Sequence, residues 1–185
     1  MRILAPLFLS LLSAFAIQAA DANWPQFGGP RRDFTIAPGD LPDQWPDQGP
    51  KVLWKRPLGD GYSGIAIDSG IVYTIYEKKD QDSVIAIDAK TGKNVWEHPL
   101  SRSTGRSLDL SQGPGPHSTP LVVNGRVFAV NTVGRFAALD AKTGAVIWEL
   151  DLWEKYGGIL NRGYGASRSP GRTSSFYRSA DTATQ

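Results

Sequence analysis

Few residues of this chain are of types that do chemistry, and their spacing limits what each can be. The chain has 185 residues and no cysteine, which excludes thiolate catalysis, disulfides and Cys-ligated metals. Its two histidines are His98 and His117, too few for a His-rich metal centre. His117 lies among Gly-Pro turns, where an imidazole could act as general base or metal ligand. No second His and no patterned carboxylates stand beside it, so it is read as structural or solvated. Asp88 and Asp140 could be paired carboxylates for acid–base work, but both fill the same place in a repeated phrase. A catalytic residue is needed once, whereas a turn cap is needed in every copy. Gly113-Pro114-Gly115 lacks the Gly-Lys-Ser/Thr that completes a phosphate loop, and its prolines remove amide donors. Arg102, Arg106 and the arginines near the C-terminus give a mild basic bias without interleaved aromatics. With 20 basic and 18 acidic residues and a net charge of +2, no nucleic-acid partner is expected.

The elements that hold these residues come from the repeated phrase itself. Residues 84–100 read VIAIDAKTGKNVWEHPL and residues 136–152 read FAALDAKTGAVIWELDL. A period of about 50 residues marks a repeat architecture. Val84–Ile87 and Phe136–Leu139 are apolar runs suited to strands covered on both faces. Asp-Ala-Lys-Thr-Gly is turn chemistry: the carboxylate accepts from amides that follow it, and Gly accepts positive φ. A second strand follows in each copy, so each copy is a β-hairpin. Its Trp can bury about 150–250 Å², and its expected partner is the neighbouring repeat.

This phrase resembles the tryptophan-docking motif, Ala-x-Asp-x-x-x-Gly-x-x-x-Trp, of the pyrroloquinoline-quinone-type β-propellers. The matches are Ala86, Asp88, Gly92 and Trp96, then Ala138, Asp140, Gly144 and Trp148. The resemblance implies an all-β propeller of four-stranded antiparallel blades, with about two blades present and the ring incomplete. It also implies that Asp88, Gly92, Trp96, Asp140, Gly144 and Trp148 join blade to blade and carry no catalysis. The absence of a WD dipeptide disfavours the WD40 type of propeller.

Taken in order, residues 1–22 read as an export signal: Arg2, an apolar run over Ile3–Ile17, and a small-x-small site at Ala20-Asp21-Ala22. Residues 23–50 are expected to be irregular and pinned to the propeller by Trp24, Phe27 and Trp45. Residues 51–58 resemble a blade's last strand, of the kind that closes a ring and removes its open edge. Residues 61–100 form the first blade, and 101–116 are an insertion. Residues 117–152 form the second blade, turning at Asn124-Gly125. Residues 153–165 read as a connection, and 163–167 as the start of a third blade. The propeller region as a whole is 51–167. Residues 168–185 leave the repeat register and are expected to be disordered. Their codons are compatible with a β-branched strand in another frame, so a truncated or frameshifted product is one reading of the chain.

The leading functional expectation is an exported, non-catalytic propeller repeat protein, a fragment that serves as a binding or assembly scaffold. It would be periplasmic or extracellular, with no lipoprotein Cys and no membrane anchor after signal cleavage. The partner is left open, with a protein as the candidate class. No cofactor is expected. The alternative is a fragment of a quinoprotein alcohol or sugar dehydrogenase, which would bring pyrroloquinoline quinone and calcium. The resemblance puts that cofactor on the axis of an eight-bladed ring, often against a vicinal disulfide that this chain cannot form. No Asp, Glu and Asn set here matches the calcium and base positions, so the chain as it stands is not expected to be an enzyme.

Overall fold

Short turns and buried apolar runs order the chain into two antiparallel sheets. A computed structural model describes residues 23–35, 44–101, 113–157 and 164. The first sheet has strands β1 (Ala66–Asp68), β2 (Ile71–Lys78), β3 (Gln81–Asp88) and β4 (Asn94–Leu100). The second has β5 (Leu121–Val123), β6 (Arg126–Val130), β7 (Arg135–Asp140) and β8 (Val146–Asp151). Strand order follows chain order in both, and every neighbour is antiparallel. Each sheet is a propeller blade, and the described residues form no closed ring.

The turns follow from residue type. Ser69-Gly70 and Asn124-Gly125 have φ of 50° and 76°, and 50° and 71°, the doubly positive pair that matches strand twist in a two-residue hairpin. Lys79-Asp80 does the same without glycine, at 53° and 60°; the Asp80 amide donates to Glu77 Oε1 at 2.9 Å. In β2 and β3 residues Val72–Glu77 and Asp82–Ile87 are buried on both faces. β4 and β8 lie at sheet edges and alternate. Their ladders break at the same place, between Ala86 and Ile87 and between Ala138 and Leu139. The bulges leave Val95 and Ile147 unpaired and exposed.

The core lies between the blades. Tyr73, Ile75, Val84, Ala86, Trp96 and Leu100 of the first sheet meet Val122, Val127, Ala129, Ala137, Leu139 and Ala141. Burying each large aliphatic side chain is worth about 1.5–3 kcal/mol, so this junction is the main source of stability. Polar groups hold its rim: the Thr132 amide donates to Asp82 Oδ2 at 3.1 Å, and Asn131 Nδ2 donates to Ser101 O at 2.9 Å.

Several expectations are modified. Residues 51–58 form no strand and pair with none among the described residues. Trp24 pairs with Ile67 through two bonds of 2.8 Å, and Pro25 O accepts from Val122 N at 2.8 Å, so this dipeptide ties the first strands of the two sheets. Phe27 and Trp45 instead are about half exposed, at 49% and 54%. A glycine turn folds the segment back, so that Gly29 lies under the Trp24 ring, and Phe27 meets Phe34 edge-on at 5.2 Å rather than the blade. The expected connection after β8 opens as a helix, α1 (Leu152–Tyr156), because Asp151 Oδ1 accepts from Trp153 N at 2.8 Å and Glu154 N at 3.0 Å. The second blade's second strand stops at Val130, because Asn131 Oδ1 takes the amides of Val133 and Arg135 at 3.2 and 2.8 Å. The export signal, most of the insertion, the third-blade start apart from Tyr164, and the tail lie outside the described residues.

Candidate functional site

The repeated phrase builds the same small structure twice. In the first turn Asp88 Oδ1 accepts from Lys90 N at 3.1 Å, Thr91 N at 2.8 Å and Thr91 Oγ1 at 2.7 Å. In the second, Asp140 Oδ1 accepts from Lys142 N at 3.0 Å, Thr143 N at 2.8 Å and Thr143 Oγ1 at 2.8 Å. Both carboxyls are held below the usual carboxylate range, chiefly by the Thr hydroxyl and then by the Thr amide. Gly92 and Gly144 close the turns at φ of 70° and 71°, where a side chain would be strained. Each Asp works inside its own turn, and the fold does not pair the two carboxylates.

A Trp from earlier in the chain reaches each turn. Trp96, on β4, is 8% exposed, and its Nε1 donates to Ala141 O at 2.9 Å. A Cβ on Gly144 would lie 2.7 Å from Trp96 Cδ2, so only glycine lets the ring come this close. Tyr73 tilts against the indole at 5.9 Å, and its hydroxyl shares Ala141 O at 3.2 Å. Trp54 repeats the arrangement on the first turn: its Nε1 donates to Ala89 O at 2.8 Å, and a Cβ on Gly92 would lie 2.8 Å from Trp54 Cδ2. Arg56 adds a bond from Nη1 to Gly92 O at 3.1 Å. Trp148 differs. It is half-buried on its own blade, 5.1 Å from Phe136 and 6.0 Å from Phe128, and no turn among the described residues receives its indole.

Sequence reasoning thus named five of the residues at these two junctions and omitted Trp54 from the site. The signal was present: Val52-Leu53-Trp54 lines up with Asn94-Val95-Trp96. What hid it was the absence of an Asp-x-x-x-Gly before Trp54. The other candidates stand apart from the junctions. His117 meets Tyr62 edge-on at 5.0 Å. His98 lies 3.3 Å from Glu149 and bridges the outer strands of the two blades. Burial is the leading cause that pushes the Tyr73 and Tyr76 hydroxyls up to about 12; Tyr76 donates to Glu97.

Residues 46–169 match the family described as outer membrane protein assembly factor BamB. The chain belongs to this PQQ-like repeat family. It is 34% identical over 73 residues to the outer membrane protein assembly factor BamB of Escherichia coli strain K12, covering 40% of this chain and 18% of that protein. It is 27% identical over 117 residues to a polyvinylalcohol dehydrogenase of a Pseudomonas species, covering 57% of this chain and 18% of the relative. The dehydrogenase subunit of a quinone alcohol dehydrogenase from Gluconacetobacter polyoxogenes is 27% identical over 133 residues, 70% of this chain and 17% of that one. The chain therefore spans less than a fifth of the length of these relatives. Among solved structures, BamB from Moraxella catarrhalis matches with TM-score 0.33 and 24% identity over 46% of this chain and 22% of its own. Quinohemoprotein alcohol dehydrogenase from Comamonas testosteroni matches with TM-score 0.39 and 26% identity over 52% of this chain and 14% of its own.

Among the described residues there is no group of three or more His, Cys, Asp or Glu that could hold a metal ion. Asp88 and Asp140 are engaged by their own turns, and Glu97 by Tyr76. No helix among the described residues is long and apolar enough to cross a membrane.

Proposed function

We propose that this chain is an exported, non-catalytic propeller repeat protein that acts as a binding or assembly scaffold for a protein partner, with Asp88, Gly92, Trp96, Asp140, Gly144 and Trp148 as blade-docking residues. One observation carries the reading: the two Asp carboxylates and the Trp96 indole of the repeated phrase are engaged by backbone. The two Asp carboxylates take turn amides, and the Trp96 indole takes a carbonyl. Among the described residues no group of three or more His, Cys, Asp or Glu converges on a common point. The similarity to proteins named for outer membrane protein assembly supports the scaffold role. In this reading residues 1–22 are removed on export and the mature chain works in the periplasm or outside the cell.

A second reading, a portion of a quinone-dependent dehydrogenase, draws on the similarity to the two dehydrogenases. One experiment separates them. The purified chain is incubated with pyrroloquinoline quinone and Ca²⁺, then assayed for bound quinone absorbance and dye-linked alcohol oxidation. The scaffold reading expects neither signal. Stoichiometric bound quinone with turnover would replace it with the dehydrogenase reading.

A further inference from the structure

The two seated indoles define a donor and a receptor. The receptor is a glycine at φ near +70° with an alanine carbonyl three residues before it: Ala89 and Gly92, Ala141 and Gly144. The donor is a Trp followed four residues later by a leucine: Trp54 and Leu58, Trp96 and Leu100, Trp148 and Leu152. Leu58, Leu100 and Leu152 each join the apolar cluster on the face of their Trp. Among the described residues there are therefore three donors and two receptors. The third donor, Trp148 with the buried Leu152, lies on a face lined by Val123, Phe128, Phe136 and Leu150, against which Tyr164 also packs.

The two receptors are not held equally. Trp96 rides on β4, whose ladder pairs run from Asp82↔Leu100 to Ile87↔Asn94. Trp54 rides on residues 51–58, which have no ladder pair, with Val52 and Leu53 at 62% and 69% exposure. Behind that receptor lies an apolar face of Val72, Tyr76, Ile85 and Ile87, against which Leu58 packs. β8 also resembles the well-held donor more than the weak one does: Trp148-Glu149 matches Trp96-Glu97, where the other has Trp54-Lys55.

We propose that Trp148 of one copy docks onto the Asp88–Gly92 turn of a second copy in place of that copy's Trp54, so that copies of this chain associate head to tail. The contact is heterologous, with a different surface on each copy. It rests on the docking reading of the repeated phrase. Trp54 is tethered to its receptor and competes at an effective concentration of the millimolar order, so the parent chain associates weakly and removal of Trp54 unlocks the contact.

The test is sedimentation velocity of the purified chain across a concentration series, with near-ultraviolet circular dichroism as the check on folding. Trp54→Ala should associate at concentrations at least about tenfold lower than the parent. Adding Trp148→Ala should return it to monomer. Trp148→Phe keeps a ring against Phe128 and Phe136 but loses the N–H donor, and should weaken association about tenfold; it serves if the alanine variant does not fold. A monomeric Trp54→Ala chain, or a Trp54→Ala/Trp148→Phe chain that associates as tightly as Trp54→Ala, would overturn the proposal. Docking within one copy is tested separately by the Gly144 and Gly125 comparison below, which needs no association.

Discussion

The contact between Trp96 and Gly144 can be measured by a pair of glycine substitutions that share a backbone conformation. Gly144 and Gly125 both have φ of 71°. An added Cβ would meet Trp96 Cδ2 at 2.7 Å at Gly144, and nothing within 4 Å at Gly125. Alanine in the left-handed region costs about 1–2 kcal/mol, and that is the whole expected loss for Gly125→Ala. Gly144→Ala adds overpacking against a ring with little room to move, about 1–3 kcal/mol more, for a total of about 2–5 kcal/mol. The excess belongs to the ring contact, so it should vanish in a Trp96→Ala background. Trp96→Ala itself should cost about 3–5 kcal/mol. The Ala141 carbonyl keeps the Tyr73 hydroxyl at 3.2 Å, so no orphaned acceptor is added to that figure. Urea unfolding midpoints at constant slope give the values, and sucrose keeps the double variant folded. Equal losses for Gly144→Ala and Gly125→Ala, or a coupling near zero in the double-mutant cycle, would refute the reasoning.

Other expectations follow from the same geometry. Because the Asp88 and Asp140 carboxyls are held below their ordinary value, their contribution to stability is present above about pH 4 and is lost as pH falls below it. Asp140→Asn should flatten the acid limb of a plot of urea midpoint against pH. The hydroxyls of Tyr73 and Tyr76, pushed up to about 12, contribute stability that is full below pH 10 and lost as pH rises toward 12. An absorbance titration near 295 nm should show two late phenols, and Tyr73→Phe should remove one. Asn131 is fully buried and serves Ser101 O and the amides of Val133 and Arg135. Asn131→Ala should therefore cost at least about 1–3 kcal/mol in chemical denaturation, while an exposed control such as Lys142→Ala stays within about 0.5 kcal/mol.

Local residue chemistry determined the elements. The apolar runs before each Asp, the Asp-Ala-Lys-Thr-Gly turns and Asn124-Gly125 act over a few residues, so strands β3, β4, β7 and β8 and their turns were legible in outline. The pairing of each Trp with a turn was a different matter. The phrase places Trp96 four residues after Gly92, yet the ring lies on Gly144 in the next blade, while Gly92 carries Trp54. The direction of docking depends on which side of the sheet faces the following blade, a property of sheet packing that no window of sequence contains. The same holds for Phe27 and Trp45, whose apolar rings suggested anchors, although the glycine turn beside Trp24 closes on itself and leaves Phe27 outside. Sequence alone thus determined a repeated, turn-capped, all-β chain with no cysteine or His-rich chemistry. Only the tertiary structure decided which rings meet which turns, and that Trp148 remains on its own blade, because those contacts join residues about 35–50 positions apart through the stacking of two sheets.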